Sequence, residues 1–398
     1  MMYWIGALVT TLVSLRRIPS LRSGLSVHPP AAFPKICVIV PAHNESTVIE
    51  GLVQSLRSQD YPAARFVFVF DRCTDNSLEL AKAAWGNDAR FEAIVNTACP
   101  DDWAGKVFAA HRGVTDSQAA RDADILIFTD ADTKYAPQCL QAAAGLMQAR
   151  SLGLLSVLST LTHNRSFEKF IQPAAYVELM HQYPLLKANR LKRRRPFANG
   201  QFMAFTRNAY NAVGTHAAVR SALLEDLALA RLAYEMSIAV GVHLADGMLT
   251  CRMYPHEEAF LKGWARIYCE AAGRRASRLR RWSLRPLLLG SVSPVVFGMM
   301  IIIAAIGVPL GAWQHPHPLI AAIFLGAAVG LAAAIAAMTL IYRSSGAPLW
   351  TVLTYPFGAF RVSRLMVESA NTLRDGKPIS WGGRSYILTP EGAKRVEG

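Results

Sequence analysis

The chain has 398 residues, a formal net charge of +14, 52% hydrophobic residues and only 18% charged ones. That length allows two ordinary soluble domains, or one large domain with membrane segments, and a core that needs no disulfide staples. A mean hydropathy of +0.22 excludes a disordered or collagen-like chain, and the basic surplus leaves nucleic acid, anionic headgroups and nucleotide phosphates as competing partners.

Met1 to Leu15 is apolar and uncharged, and Arg16-Arg17 follow it. A secretory signal carries its positive charges before the apolar run, so an N-terminal anchor is expected, with monotopic insertion as the alternative. Ile36 to Val40, ending at Pro41, reads as a buried strand, and Glu45 to Arg57 has helical spacing. Phe66 to Phe70 is the next strand and Ser77 to Trp85 the next helix. Phe91 to Val95, Lys106 to Val114, Ile125 to Phe128 and Pro137 to Ala149 continue the alternation. Such a pattern predicts an α/β domain with a mostly parallel, Rossmann-like sheet, which binds ligands at the carboxyl ends of its strands. Gly153 to Leu161 is expected as one strand and Ser166 to Arg195 as a helical insertion ending in a basic run. Phe202 to Thr206 reads as a strand, Leu224 to Met236 as a helix, and Ala259 to Arg281 as one long basic helix.

Leu287 to Trp313 and Leu319 to Tyr342 are each long enough to span a bilayer, joined by a turn at His315 to Pro318. Arg281, Arg285 and Arg343 flank them, which places Arg16 to Arg285 in the cytosol, beneath an inner membrane. Leu349 to Phe360, interrupted by Pro356, is expected to be interfacial. The expected organisation is an anchor (1–20), a catalytic domain (33–255), a basic interfacial helix (256–286), a transmembrane hairpin (287–343) and an interfacial segment with a cytosolic tail (344–398). Six cysteines are scattered without a Cys-x-x-Cys pair, so reduced thiols and no zinc site are expected.

Asp130 and Asp132 follow a hydrophobic strand at a spacing that lets both carboxylates point one way. Two such groups suit Mg²⁺ or Mn²⁺ with open positions for phosphate oxygens. Asp71 ends the second strand and can accept from a base N–H or a ribose hydroxyl, whereas Asp75 suits a helix cap. Pro41, Asn44 and Glu45 would floor the same pocket, with Glu45 equally placed as a helix-dipole partner. Lys106 opens a helix, where a cation is disfavoured, so it is expected to serve an anion. Glu225-Asp226 begins a helix as cap or as general base. Trp264 could stack on a sugar or lipid edge, and Arg266 could neutralise a leaving diphosphate. Both arginine-rich runs, Arg190 to Arg195 and Arg274 to Arg285, are expected to face anionic headgroups or the donor diphosphate; neither has the interleaved aromatics of a single-strand groove, so no nucleic-acid partner is expected.

Taken in order, Val38-Ile39-Val40-Pro41-Ala42-His43-Asn44-Glu45, Ser58-Gln59-Asp60-Tyr61-Pro62, Trp103-Ala104-Gly105-Lys106, Thr129-Asp130-Ala131-Asp132, Ala198-Asn199-Gly200-Gln201-Phe202, Leu224-Glu225-Asp226 and Gly263-Trp264 resemble the family 2 glycosyltransferases with the GT-A fold. The membrane-bound branch with hopanoid-associated, carotenoid and ceramide glycosyltransferases looks closest. The resemblance implies a nucleotide-sugar donor, a UDP-sugar by expectation, a lipid acceptor and inversion at the anomeric carbon. It implies base contact for Asp71, metal and diphosphate binding for Asp130 and Asp132, and the catalytic base for Asp226. Trp264 and Arg266 fall where the family has its tryptophan–basic motif, in preference to the literal match Arg278 to Trp282. One departure is Phe70, where the family often has a first aspartate. Rival readings are a processive polysaccharide synthase, disfavoured by only two firm C-terminal spans, and a non-catalytic nucleotide-sugar binder.

Overall fold

The computed structural model describes residues 1–27, 33–190, 195–307, 318–381, 384–390 and 392–396. They fall into two compact units. One comprises Ile18–Leu161 and Tyr183–Met253; the other comprises Met1–Arg17, Thr162–Gln182 and Tyr254–Gly398.

The first unit is built on the strands β1 (Ile36–Ala42), β2 (Ala64–Asp71), β3 (Phe91–Asn96), β4 (Ile125–Thr129), β5 (Thr133–Tyr135), β6 (Leu154–Leu158), β7 (Thr160–Leu161), β8 (Phe202–Thr206), β9 (Val240–Leu244) and β10 (Leu249–Cys251). Seven of them form one sheet in the order β3-β2-β1-β4-β8-β6-β9. Only β8 runs against its neighbours, so the fold is mixed α/β with a mostly parallel, GT-A-like sheet. β5, β10 and β7 form a second, small sheet.

The β-branched run of β1 is buried on both faces because helices cover the sheet on both sides. Val38 and Val40 join Leu52, Val53 and Leu56 of the Ile49–Arg57 helix in one core. Ile39 lies on the opposite face, against Gly113 of the Gly105–Asp116 helix. The same alternation along β2 sends Phe66, Phe68 and Phe70 into the core with Trp85 and Phe91. Asp71, one residue on, therefore belongs to the other face. The aromatic at position 70 is 1% exposed and belongs to the core, and it also lines a cavity with Arg72 and Asn96.

The second unit is largely helical: Met2–Arg17, Ser166–Phe170, Gln172–Gln182, Glu257–Ala271, Ala276–Arg285, Ser293–Gly307, Pro318–Ser345 and Tyr355–Arg374. Trp4 is buried and donates from its indole to Ser293 Oγ at 3.0 Å. Arg285 donates from Nη2 at 2.5 Å and from Nε at 3.1 Å to Oε2 of the buried Glu178. Two stretches, Ala276–Gly307 and Pro318–Ser345, are long and apolar enough to cross a membrane by length and composition.

Several expected boundaries differ. The basic helix expected over 259–281 is two helices, because Gly273 and Arg274 both take positive φ (63° and 58°) and end the first. The insertion expected over 166–195 is broken into Ser166–Phe170, Gln172–Gln182 and Leu185–Ala188. The strand expected over 153–161 is split into β6 and β7, which join different sheets. Leu349 to Phe360 is a short 3₁₀ turn, Leu349–Thr354, running into a twenty-residue helix whose first turn accommodates Pro356. Most of the Arg190 to Arg195 run, the turn at 315–317 and the end of the first expected span lie outside the described residues.

Candidate active site

Strands β1, β2 and β4 are parallel neighbours and end on one edge of the sheet. β8 opposes β4 with Thr129 paired to Phe202, so the segment entering β8 lies at that same edge. This topology gathers residues from distant parts of the sequence.

The loop after β1 is fixed by Asn44, which adopts a left-handed φ of 57°. Its Oδ1 accepts from Thr74 N at 2.8 Å. Asp75 completes the stitch, accepting from Ser46 N at 3.1 Å and from Ser77 N, the first residue of the Ser77–Trp85 helix, at 3.1 Å. Pro41 lies within β1 opposite Val69. Glu45 donates its backbone N–H to Ser77 Oγ at 2.8 Å. Desolvation, with Asp132, Asp130 and Asp75 adding repulsion, pushes the Glu45 carboxyl up to about 8.

At the end of β2, Asp71 is 3% exposed. Its Oδ2 accepts from Arg72 Nη2 at 2.6 Å and Nε at 3.1 Å, and its Oδ1 from Asn96 Nδ2 at 3.4 Å. Gly105 presses against this pair: a Cβ there would stand 2.4 Å from Arg72 Nη2 and 3.1 Å from Asp71 Oδ2. A cavity of about 390 Å³ opens beside them, lined by Arg72, Thr74, Asp75, Asn96 and Thr97. Asn96 Oδ1 is buried and has no hydrogen-bond partner among the described residues.

The next residue after Gly105 ties the second cluster together. Lys106 Nζ lies 2.6 Å from Asp130 Oδ1 and 2.7 Å from Glu225 Oε1. Desolvation opposes its charge, but Asp130 and Glu225 outweigh that and hold the ammonium well above the usual lysine range. Desolvation likewise opposes the Glu225 charge, and Lys106 overrides it, so this carboxylate sits below its usual range. Asp226 is anchored by backbone N–H groups, Gly200 to Oδ2 at 2.9 Å and Leu227 to Oδ1 at 2.7 Å. Desolvation and the neighbouring Glu225 charge push it up to about 6. Gly200 is enclosed by these groups: a Cβ there would lie 3.1 Å from Lys106 Nζ, 3.3 Å from Asp226 Oδ2 and 3.4 Å from Glu225 Oε1.

Asp130 and Asp132 bracket a turn held by Thr133 Oγ1, which donates to the Asp130 carbonyl at 2.8 Å. Desolvation and then Asp130 push Asp132 up to about 7. Among the described residues, no three His, Cys, Asp or Glu side chains are placed to share a metal ion. Asp132 Oδ1, however, is buried and has no hydrogen-bond partner there. Two carboxylates with a spare buried oxygen fit a hard divalent cation whose remaining positions are taken by substrate phosphates.

The expected residues from Pro41 to Asp226 all lie in the sheet unit, with Pro41 inside β1 and not in the turn after it. Trp264 and Arg266 lie on the Glu257–Ala271 helix of the other unit. Trp264 is 2% exposed, packed between Phe260 and Tyr268 with centroids 6.0 and 5.5 Å away. Gly263 lies against the Tyr254 ring, and Arg266 is half-buried. On the following helix, Arg278 and Arg281 are exposed and Arg285 is engaged by Glu178, while Arg274, in the break before that helix, is engaged by Glu270. Sequence reasoning missed Asn96 and Arg72; parallel pairing of β2 with β3, opposing Asp71 to Asn96, was the available signal.

Residues 37–214 match the family Glycosyl transferase family 2. The protein carries a glycosyltransferase family 2 domain and is a glycosyltransferase. It is similar to a mannosyltransferase from Pyrobaculum calidifontis in complex with GDP-Man and Mn²⁺, at 16% identity and a TM-score of 0.47 over 94% of this chain and 96% of that one. It is also similar to S. aureus TarS (residues 1–349) with UDP-GlcNAc, at 14% identity and a TM-score of 0.40 over 92% and 99%. A third similar structure is M. tuberculosis glucosyl-3-phosphoglycerate synthase with phosphoglyceric acid, at 16% identity and a TM-score of 0.40 over 62% and 85%. No match was found among curated proteins.

Proposed function

We propose that the protein transfers a sugar from a nucleotide-sugar, by preference a UDP-sugar, to a hydroxyl of a membrane lipid of hopanoid, carotenoid or sphingolipid type, inverting the anomeric carbon. The observation that carries this reading is the chain of contacts from Asp130 through Lys106 to Glu225, next to Asp226. In this reading the cluster has a phosphate-and-cation end and a proton-accepting end.

In this reading Asp71 and Asn96 hold the base, Pro41, Asn44 and Glu45 floor the donor pocket, and Asp130 and Asp132 hold Mg²⁺ or Mn²⁺. The cation, when bound, offsets the charge that develops on the departing diphosphate. Asp226 takes the proton from the acceptor hydroxyl, whose oxygen bonds to the anomeric carbon as the bond from that carbon to the diphosphate breaks. Desolvation and Glu225 raise the Asp226 basicity towards neutral pH, while Glu225 itself stays charged against Lys106. On the resemblance, Trp264 and Arg266 would serve as the family's tryptophan–basic motif.

The chemistry would take place at the cytosolic face of an inner membrane. Residues 1–20 would anchor the chain, 33–255 form the catalytic domain, 256–286 lie at the interface, 287–343 span as a hairpin, and 344–398 return through an interfacial segment to the cytosol. The two long apolar helices support this. So do Trp350, Leu353 and Phe357, exposed by 62%, 76% and 55% just after the second of them. Transfer of labelled sugar from several nucleotide donors into a lipid extract tests the proposal, with Asp226→Asn as control. Full activity in that variant removes the base assignment, and indifference to chelator removes the metal.

A further inference from the structure

Lys106 occupies an unfavourable position. It lies in the first turn of a twelve-residue helix, Gly105–Asp116, whose amino end repels a cation. Its ammonium is also largely withdrawn from water, with the side chain 27% exposed. What holds it is the pair of carboxylates at 2.6 and 2.7 Å, one from the end of β4 and one from the start of the Glu225–Glu235 helix. The helix end itself is suited to an anion, the donor diphosphate.

Resting on the metal-dependent reading above, we infer that Lys106 is a positioning residue that stands in for the divalent cation at Asp130 and exchanges partners when metal and diphosphate arrive. A dication on Asp130 and Asp132 repels an ammonium at that distance. The ammonium then keeps Glu225 and turns its freed donor to a diphosphate oxygen, over the helix end that favours that anion. Gly200 has no Cβ to obstruct this movement; one there would come within 3.1 Å of Nζ. Through Glu225, the same ammonium reports donor loading to the acid next to the proposed base, Asp226. Lys106 thus opposes metal binding before the nucleotide is present and promotes it afterwards.

This sign reversal separates the exchange from a structural role. Mn²⁺ binding to the full-length protein in detergent is followed by electron paramagnetic resonance of the free ion, with and without UDP. In Lys106→Met, nucleotide-free Mn²⁺ affinity should rise about fivefold, while Mn²⁺ affinity in the presence of UDP should fall by a similar factor. A structural lysine would lower both, and that result, or no change in the nucleotide-free value, overturns the exchange. Glu225→Gln keeps the lysine but leaves it to Asp130 alone, so nucleotide-free Mn²⁺ affinity should fall; a rise there also overturns it. That second variant decides the matter if Lys106→Met does not fold. Wild type and Asp132→Asn test the premise separately. If wild type binds no Mn²⁺ with or without UDP, the metal reading falls and the exchange with it. If wild type binds and Asp132→Asn does not, the metal reading stands and the Lys106 signs alone decide.

Discussion

Asp71 and Asn96 face each other at the ends of β2 and β3, 3.4 Å apart through Asn96 Nδ2, with Asn96 Oδ1 buried and unpartnered among the described residues. The amide donates to that carboxylate, and Asn96 is one of the residues that line the 390 Å³ cavity. A base that brings a ring N–H there gains a bond that the free protein lacks. Asn96→Leu should raise the donor KM about tenfold with a much smaller change in kcat. Asn96→Asp should do worse, because it sets a second carboxylate beside Asp71. Initial rates over a donor concentration series separate the two parameters.

The same cluster makes Gly105 a specific prediction. A methyl at this position meets the tip of the Arg72 side chain at 2.4 Å, and that flexible tip must give way. Gly105→Ala should therefore loosen the Arg72–Asp71 pair and weaken donor binding several-fold, at little cost in thermal stability. Isothermal titration with UDP alongside a melting curve checks both halves. A large loss of Tm would mean that the helix itself has moved.

On the proposed mechanism, Asp226 should set the acid side of the pH profile. The proposed base works deprotonated, and desolvation with Glu225 puts its carboxyl at about 6. The plot of kcat/KM should climb through that pH and flatten above it. Glu225→Gln removes the repelling charge, so the climb should move to lower pH. Asp226→Asn should cut kcat by about 10²- to 10⁴-fold and abolish the limb. A limb that stays in place in Glu225→Gln would show that another group controls it.

Much of this arrangement is visible in the chain before folding, for identifiable reasons. Ser77–Trp85 and Phe202–Thr206 are read correctly because their signals are local: a 3.6-residue spacing in one, a short apolar run with turn residues before it in the other. The positions of Asp130 and Asp132 follow from the hydrophobic strand that precedes them. The helix break at Gly273 and Arg274 is not visible, because the basic pattern continues across it and only the positive φ angles end the helix. The Lys106–Glu225 contact is less visible still. It arises because β8 runs antiparallel to β4, which brings Gly200 and then Glu225 back to the edge where Lys106 starts its helix. Helical spacing suggests Trp264 as easily for a core position as for a stacking platform, and its burial between Phe260 and Tyr268 comes from tertiary packing.

The exposed apolar residues after the second long helix lead to the last prediction. Trp350, Leu353 and Phe357 are well exposed, and Phe360 follows on the same helical face with Arg361 and Arg364 beyond it. Apolar side chains backed by arginines suit the boundary between acyl chains and anionic headgroups. Leu353→Glu places a charge at the most exposed of these positions, where no core contact is lost. Transfer to a lipid acceptor in vesicles containing anionic lipid should fall several-fold, and the loss should be greatest at low ionic strength, where headgroup repulsion is least screened. UDP binding, which the proposed function assigns to the sheet unit, should not change. If transfer in vesicles is unaffected while the variant remains folded, this segment does not seat the enzyme on its lipid; if UDP binding falls as well, the substitution has disturbed the fold instead.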